Sequence, residues 1–210
     1  RSLHFKVTKG VFIPRPETEI LVEEALRTFL CAEHRDNTIN ILDLATGSGI
    51  VAIILAKELL NASIIATDIS DVALKIAKEN ARVHEVEKCI TFLKGDLFYP
   101  IKGDSEHFNL VISNPPYIPT GDFPDLQAEV RDFEPRIALD GGKEGLSFYR
   151  RILSGVTQFL LKNSWLMVEV GDCQAHKVAE IIEATGKFHS PLILKDLSGI
   201  ERVIKAQRNG

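Results

Sequence analysis

The stretch Phe108-Asn109-Leu110-Val111-Ile112-Ser113-Asn114-Pro115-Pro116-Tyr117 decides how this chain is interpreted. Its first six residues form an apolar run, which predicts a buried strand. The four residues that follow have no side chain that titrates near neutral pH, so they cannot abstract a proton. They offer an amide oxygen, proline-locked backbone carbonyls and an aromatic face. This set suits the binding of a planar –NH2 group through its hydrogens and its π face. An ordinary Asn-Pro turn is the alternative.

Strands and helices alternate on both sides of this stretch. We predict strands at 39–44, 63–67, 90–93, 108–113 and 165–170, and helices at 50–60, 72–83, 148–161 and 175–185. Two late apolar segments, 192–195 and 202–206, have no helix between them and should pair antiparallel. Alternation with continuously apolar strands predicts an α/β fold with a mostly parallel sheet and helices on both faces.

Two segments depart from this alternation. Residues 14–19, Pro-Arg-Pro-Glu-Thr-Glu, predict a rigid entry into a helix, because proline and acidic residues favour the first helical turn. We therefore take 1–36 as an amino-terminal hairpin and helix segment that leads into a main domain at 37–210. Residues 118–145 are long and irregular and follow the proposed site, so we expect a substrate-binding lid.

Polar residues and glycines follow three of the predicted strands. The turn Asp43-Leu44-Ala45-Thr46-Gly47-Ser48-Gly49 lets the backbone approach a ligand and presents the N–H groups of a helix start. Asp68 ends the second strand and can accept both hydroxyls of a ribose, although it can instead cap the next helix. Asp96 and Leu97 follow the third strand and can flank an adenine, although Asp is also common in turns. These strand ends should meet at one edge of the sheet.

Together these motifs resemble those of the class I S-adenosylmethionine-dependent methyltransferases, a Rossmann-like group in which (N/D)PP(Y/F) marks enzymes that methylate planar nitrogens. Three further stretches resemble the release factor glutamine methyltransferase family, and the likeness extends from about residue 5 to residue 206. They are FIPRPETE at 12–19, VRDFEPRIAL at 130–139 and KDLSGIERV at 195–203. The family implies a seven-stranded sheet with the last strand antiparallel. It also has an upstream helical domain, which we do not expect within these residues.

The resemblance implies a reaction and a set of site residues. The side-chain amide of the glutamine in the Gly-Gly-Gln motif of peptide-chain release factors would be methylated, and S-adenosylmethionine would become S-adenosylhomocysteine. The cofactor would contact Ala45, Thr46, Gly47, Ser48, Gly49, Asp68, Asp96, Leu97 and Asn114. The glutamine amide would be held by the catalytic residues Asn114, Pro115, Pro116 and Tyr117. Apart from the resemblance, Glu17 and Glu134 can orient cofactor or substrate, with a solvated carboxylate as the alternative, and Arg15 can bind a ligand or form a salt bridge.

One residue departs from the family pattern. The glycine-rich turn usually begins with Gly where this chain has Ala45. A positive φ there would cost roughly 1 kcal/mol because of the added Cβ, and cofactor affinity is the quantity that it would affect. We expect a negative φ, since a small side chain suffices for close approach.

Composition limits the partners. The formal net charge of −4 argues against direct nucleic-acid binding, and the scattered histidines argue against a metal site. No apolar run is long enough for a membrane span. Cys31, Cys89 and Cys173 predict reduced, mostly buried thiols in a cytoplasmic protein, which we expect to be a monomer. Three alternatives stay open: methylation of a ribosomal-protein glutamine, methylation of adenine N6 in nucleic acid, and a non-catalytic nucleotide-binding module.

Overall fold

The computed structural model describes residues 3–30, 37–101 and 107–210. The helices in these ranges are α1 Glu17–Phe29, α2 Ile50–Glu58, α3 Asp71–Val83, α4 Ala128–Phe133, α5 Ser147–Gly155 and α6 Ala175–Ala184. The strands are β1 Ile39–Leu44, β2 Ala62–Asp68, β3 Ile90–Lys94, β4 Phe108–Ser113, β5 Leu160–Glu169, β6 Leu192–Lys195 and β7 Glu201–Gln207. Apart from α5 and β5, the predicted elements have bounds close to those observed.

All seven strands form one sheet in the order β3-β2-β1-β4-β5-β7-β6. The pairs from β3 to β5 are parallel, whereas β7 runs antiparallel to both β5 and β6. The predicted mostly parallel sheet with an antiparallel last strand is confirmed. The chain leaves β1 towards β2 and later returns to β4 on the other side of β1. This reversal places a crevice outside the carboxyl ends of β1 and β4, where open α/β sheets bind ligands.

Apolar cores cover both faces of the sheet. On one face, α1 and α2 pack over strand residues such as Ile41 and Leu110. On the other face, α5 and α6 pack over Leu42 and Val111. Successive strand residues point to opposite faces. The central strands therefore need apolar side chains in both directions, which explains their continuous apolar runs.

The amino-terminal segment lies across α3 before it enters α1. The Lys6 N–H donates to Asn80 Oδ1 at 2.9 Å, and Asn80 Nδ2 donates to the Lys6 carbonyl at 3.0 Å. Residues 3–16 contain turns and no strand, so they form no hairpin. α1 then buries Leu21 and Phe29 in the same core as β1. The predicted boundary after residue 36 adjoins residues 31–36, which lie outside the described ranges, so that division stays a prediction.

The predicted helix over 148–161 is too long, and the strand predicted at 165–170 begins too late. α5 ends at Gly155 and β5 begins at Leu160. An apolar sequence of this kind fits a helical period and a short strand equally well. Pairing decides between them, because Leu160 is the register partner of Phe108 at the start of β4.

The prediction of mostly buried cysteines is wrong for Cys173, which is exposed in the turn between β5 and α6. Cys89 is half-buried beside β3, and Cys31 lies outside the described residues. The turn before α6 contains polar neighbours and faces solvent, so nothing there covers the Cys173 side chain.

Candidate functional site

A cavity of about 220 Å³ opens at the carboxyl ends of β1, β2 and β4. The amino-terminal segment and the irregular connection after β4 complete its wall. Most of the predicted site residues line it: Arg15, Ala45, Thr46, Gly47, Ser48, Asp68, Asp96, Leu97, Asn114, Pro115, Pro116 and Tyr117. Gly49, Glu17 and Glu134 are not part of the wall, in a structure that describes all three.

The β1–α2 turn differs from our expectation at its first residue. Ala45 has a φ of 57°, which lies in the left-handed region, whereas we expected a negative value. The Thr46 N–H donates to the Thr67 carbonyl at 3.0 Å, and the Thr46 hydroxyl donates to Asp43 Oδ2 at 2.5 Å. Both bonds are donated by Thr46, so they fix the residue that directly follows Ala45. The turn geometry therefore dictates its φ, whatever the size of its side chain.

The two glycines of this turn serve different purposes. Gly47 has a φ of 58°, and a Cβ added to it would meet no protein atom within 4 Å. It faces the cavity and leaves room for a ligand to approach the backbone. Gly49 has a φ of 82°, and its added Cβ would lie 3.0 Å from Ala77 Cβ. Gly49 therefore permits close packing of α2 against α3.

Asp68, at the end of β2, is held by the backbone. Its Oδ2 accepts the Gly47 N–H at 2.9 Å and its Oδ1 accepts the Ser70 N–H at 2.8 Å. Burial raises the pKa of Asp68, and these two hydrogen bonds oppose the rise. The cap of α3 is Ser70, whose hydroxyl accepts the Ala73 N–H. Ser70 therefore caps α3 in place of Asp68, and the Asp68 carboxylate keeps unused acceptor sites.

Asp43 is a buried carboxyl that we did not single out. It lines the cavity from the end of β1, and burial raises its pKa to about 7, while the bond from the Thr46 hydroxyl lowers it. Its position directly before the glycine-rich turn was the sequence signal for it.

The β3 end contributes two dissimilar residues. Leu97 is buried at a φ of 49°, and it faces the cavity. Asp96 is exposed, and its carboxylate accepts a bond from Arg151 at 2.5 Å. The Arg151 guanidinium also lies over the Phe148 ring, 5.1 Å from its centroid. Phe148 and Arg151 both line the cavity and were not predicted, because they come from α5, far away in sequence.

The Asn-Pro-Pro-Tyr stretch leaves β4 towards the cavity. Pro115 and Pro116 are buried, and the peptides that precede them are trans. Gln174 Nε2 donates to the Tyr117 carbonyl at 2.8 Å. A Cβ on Gly141 would lie 2.7 Å from Tyr117 Cα, so this glycine allows the end of the 118–145 connection to pack directly on Tyr117. Tyr117, the last residue of the stretch, is therefore contacted from two sides.

The segment after this stretch closes back on itself. The Ile118 N–H donates to the Leu139 carbonyl at 2.9 Å, and the Gly141 N–H donates to the Ile118 carbonyl at 2.8 Å. Between these ends lie α4 and 3-10 turns at Thr120–Asp125 and Arg136–Ala138. Val130 and Ile137 from this loop line the cavity.

A buried network links Asn114 to the end of β5. Asn114 Nδ2 donates to the Thr18 hydroxyl at 3.0 Å, and that hydroxyl donates to Glu169 Oε2 at 2.8 Å. The Tyr117 hydroxyl lies 3.4 Å from Glu169 Oε1. Burial, followed by the charge of Glu169, raises the pKa of Tyr117. Sequence reasoning missed Thr18 and Glu169, although Thr18 lies inside the quoted 12–19 stretch.

The three residues that we predicted to orient cofactor or substrate occupy different places. Arg15 lines the cavity and forms an ion pair with the buried Glu134 of the 118–145 connection. The other oxygen of that carboxylate, Glu134 Oε2, has no hydrogen-bond partner in the described part of the chain. Glu17 Oε1 lies 3.8 Å from the guanidinium group of Arg202 in β7. The structure thus brings Arg15 to Glu134 and leaves Glu17 apart from both.

The residues that the structure describes contain no cluster of three or more His, Cys, Asp or Glu side chains suited to a metal ion. None of their helices has the length and apolar character required for a membrane span.

Residues 7–127 match the methyltransferase small domain family. The chain is 45% identical to the release factor glutamine methyltransferase of Geobacter sulfurreducens, over 97% of this chain and 68% of that protein. It is 39% identical to the release factor glutamine methyltransferase of Thermodesulfovibrio yellowstonii, over 99% of this chain and 72% of that protein. Among solved structures, a methyltransferase from Pyrococcus furiosus is similar at a TM-score of 0.69 and 16% identity, covering 98% of this chain and 89% of that one, which shows the fold. Because the identity to named relatives extends over nearly the whole chain, the chain belongs to the release factor glutamine methyltransferase family.

Proposed function

We propose that this protein transfers a methyl group from S-adenosylmethionine to the side-chain amide nitrogen of the Gly-Gly-Gln glutamine in peptide-chain release factors. The observation that carries the proposal is the orientation of Asn114. Its Nδ2 is engaged by Thr18, which leaves Oδ1 as the atom available to a ligand in the cavity. An acceptor at that position suits an –NH2 group and no anionic one.

The polar groups and the open space that line the cavity suit S-adenosylmethionine. Asp68 accepts backbone N–H groups, among them those of Gly47 and Ser70, and retains a lone pair that can accept a hydrogen from the ribose hydroxyls. The open space at Gly47 admits the cofactor's methionine part to the β1–α2 turn, formed by Ala45, Thr46 and Ser48. Asp96 and Leu97 border the place of the adenine. When bound, S-adenosylmethionine supplies an electrophilic methyl group on a sulfonium.

The catalytic stretch positions and polarises the acceptor. An amide nitrogen is a poor nucleophile because its lone pair is delocalised into the carbonyl. Asn114 Oδ1 and the Pro115 carbonyl accept the two N–H hydrogens, and Tyr117 packs on the amide plane. Both acceptors stabilise positive charge as it develops on the nitrogen. Preorganisation of this kind replaces a general base, since the proton can leave to solvent after transfer.

Pro116 and the lid complete the substrate side. Pro116 removes a backbone donor that would compete for the carbonyls. The Arg15–Glu134 ion pair joins the amino-terminal segment to the lid, so it orients the loop that covers the glutamine. Glu17 contributes to the orientation of the substrate indirectly, through its ion pair with Arg202. The segment 1–36 and the domain 37–210 work as one catalytic unit on this proposal.

The protein works in the cytoplasm as a monomer and binds no nucleic acid directly. The release factor itself is the macromolecular partner. A net charge of −4 is unfavourable for the phosphate contacts that a nucleic-acid substrate requires. Size-exclusion chromatography with light scattering tests the monomeric state. A binding titration with RNA tests whether nucleic acid is bound.

The decisive experiment is methyl transfer from labelled S-adenosylmethionine to a purified release factor, with a control factor whose Gly-Gly-Gln glutamine is replaced by alanine. Label in the first protein and none in the second is the expected result. Label in both would point to another acceptor residue. Label in neither, with cofactor binding intact, would refute the proposed acceptor and favour a ribosomal-protein glutamine or adenine. Absence of cofactor binding would favour a non-catalytic module.

A further inference from the structure

Thr18 and Glu169 reach Asn114 from two different elements. Ser113 and Val168 are register partners, so the next residues along β4 and β5, Asn114 and Glu169, lie side by side at the sheet edge. Thr18, on the first turn of α1, inserts its hydroxyl between them. Thr18 is 2% exposed and Glu169 is 1% exposed, so water does not compete for these groups.

The order of donors in this chain of bonds follows from chemistry. A carboxylate only accepts hydrogen bonds, so the single hydrogen of the Thr18 hydroxyl must go to Glu169. The Thr18 oxygen is then an acceptor towards Asn114, and it can be matched only by the Nδ2 end of that amide. The opposite rotamer would bring Oδ1 against an oxygen that has no hydrogen left to donate. A charged Glu169 therefore directs Asn114 Oδ1 towards the cavity.

We propose that Glu169, acting through the Thr18 hydroxyl, is a positioning residue that sets which end of the Asn114 amide faces the acceptor nitrogen. The proposal rests on the proposed function for its meaning, since Oδ1 matters only if an –NH2 group is bound. A protonated Glu169 can donate to Thr18, which frees the threonine hydrogen for Asn114 Oδ1 and lets the amide turn round. The –NH2 group of Asn114 would then face the –NH2 group of the acceptor amide.

The surroundings of Glu169 make this change accessible near neutral pH. Glu17 and Thr18 of α1, Tyr117 after β4 and Arg202 of β7 act on its carboxyl group, whereas the Tyr149 hydroxyl of α5 donates to its backbone carbonyl. Burial raises the pKa of Glu169 to about 7, while the Thr18 bond and the Arg202 charge oppose the rise and the Glu17 charge adds to it. Turnover should therefore rise with pH through this range.

The first test separates the hydroxyl from the shape of residue 18. Thr18→Val removes the hydroxyl at nearly constant volume, and we expect kcat to fall about tenfold or more with unchanged cofactor Kd. Thr18→Ser keeps the hydroxyl and should restore most of the activity. Thr28→Val, the same change on the far turn of α1, is the matched control and should keep wild-type kcat. Wild-type kcat in Thr18→Val, or failure of Thr18→Ser to restore it in a folded protein, would overturn the proposal.

The second test follows the charge of Glu169. Glu169→Gln should lower kcat and abolish the acidic limb of its pH profile between pH 5 and 8. In protein labelled with ¹⁵N-asparagine, the Asn114 side-chain signals, assigned by their loss in Asn114→Ser, should move with a midpoint near that limb in wild type. They should not move in Glu169→Gln. Signals that stay still in wild type, or that move equally in both, would refute the network.

The methyl-transfer assay and the spectroscopic titration distinguish failure of the proposed function from failure of the positioning network. The spectroscopic titration requires no acceptor, so it decides the Asn114 network even if no release factor is methylated. Loss of methyl transfer in wild type with a normal titration would refute the proposed function and leave the positioning network standing. Normal methyl transfer with Asn114 signals that do not move with pH would refute the positioning network and leave the proposed function standing.

Discussion

Replacing Ala45 by glycine should stabilise the protein. Ala45 has a φ of 57°, and an alanine in the left-handed region costs about 1–2 kcal/mol. Glycine avoids that cost but loses about 0.4–1 kcal/mol through the greater freedom of its unfolded chain. The expected net gain is about 0.5–1 kcal/mol, which corresponds to about 1–4 °C in Tm for a chain of this size.

Thermal unfolding followed by circular dichroism measures this shift. Ala179→Gly is the matched control, because Ala179 lies inside α6, where glycine should lower stability by about 0.5–1 kcal/mol. The same chemical change should therefore move Tm in opposite directions at the two sites. A decrease in Tm for Ala45→Gly as large as that for Ala179→Gly would refute the left-handed conformation of Ala45. The cofactor should bind Ala45→Gly at least as well as wild type.

Three further predictions concern the site. Asn114→Ala should lower kcat by about 100-fold or more with cofactor Kd almost unchanged, because its oxygen acts on the acceptor; equal losses in both quantities would contradict that role. Asp68→Ala should weaken S-adenosylmethionine binding by about 2–3 kcal/mol through lost charge-assisted bonds, as calorimetry can measure; unchanged affinity would make Asp68 a purely structural turn residue. Glu169→Gln should raise the free energy of unfolding at pH 8 and change it little at pH 4. The folded pKa of Glu169 is raised to about 7, so the stability tied to its proton is present below the unfolded pKa and is lost as pH rises through about 7. A rise from 4.5 to about 7 corresponds to about 3 kcal/mol at most. Denaturant titrations of both proteins at the two pH values test this, and a destabilised variant at pH 8 would contradict the raised pKa.

Local pattern was sufficient for the elements that are buried on both sides. β1 and β4 are buried on both faces of the sheet, and a mostly apolar run is typical of such a central parallel strand. The glycine-rich turn and Asp68 were predictable because the carboxyl ends of parallel strands share one edge. Their approach in the structure follows from the parallel β1–β2 pairing, which places Leu44 beside Thr67.

Other features depend on partners that local pattern does not contain. The start of β5 at Leu160 is decided by pairing with β4, since its apolar residues also fit the end of a helix. The φ of Ala45 is decided by bonds to Asp43 and β2, so a small side chain was a poor guide to it. Asp96 meets Arg151, which comes from α5, 55 residues later.

The fold class, the edge of the sheet at which the polar strand ends meet and the residue types suited to an –NH2 group follow from the sequence, because they depend on periodicity and on residues adjacent in the chain. Which end of the Asn114 amide faces the cavity follows only from the folded structure. That choice depends on Thr18 and Glu169, which are 151 residues apart and meet only when α1 packs beside β5. Hydrogen-bond direction is a property of neighbours in space, and no spacing along the chain encodes it.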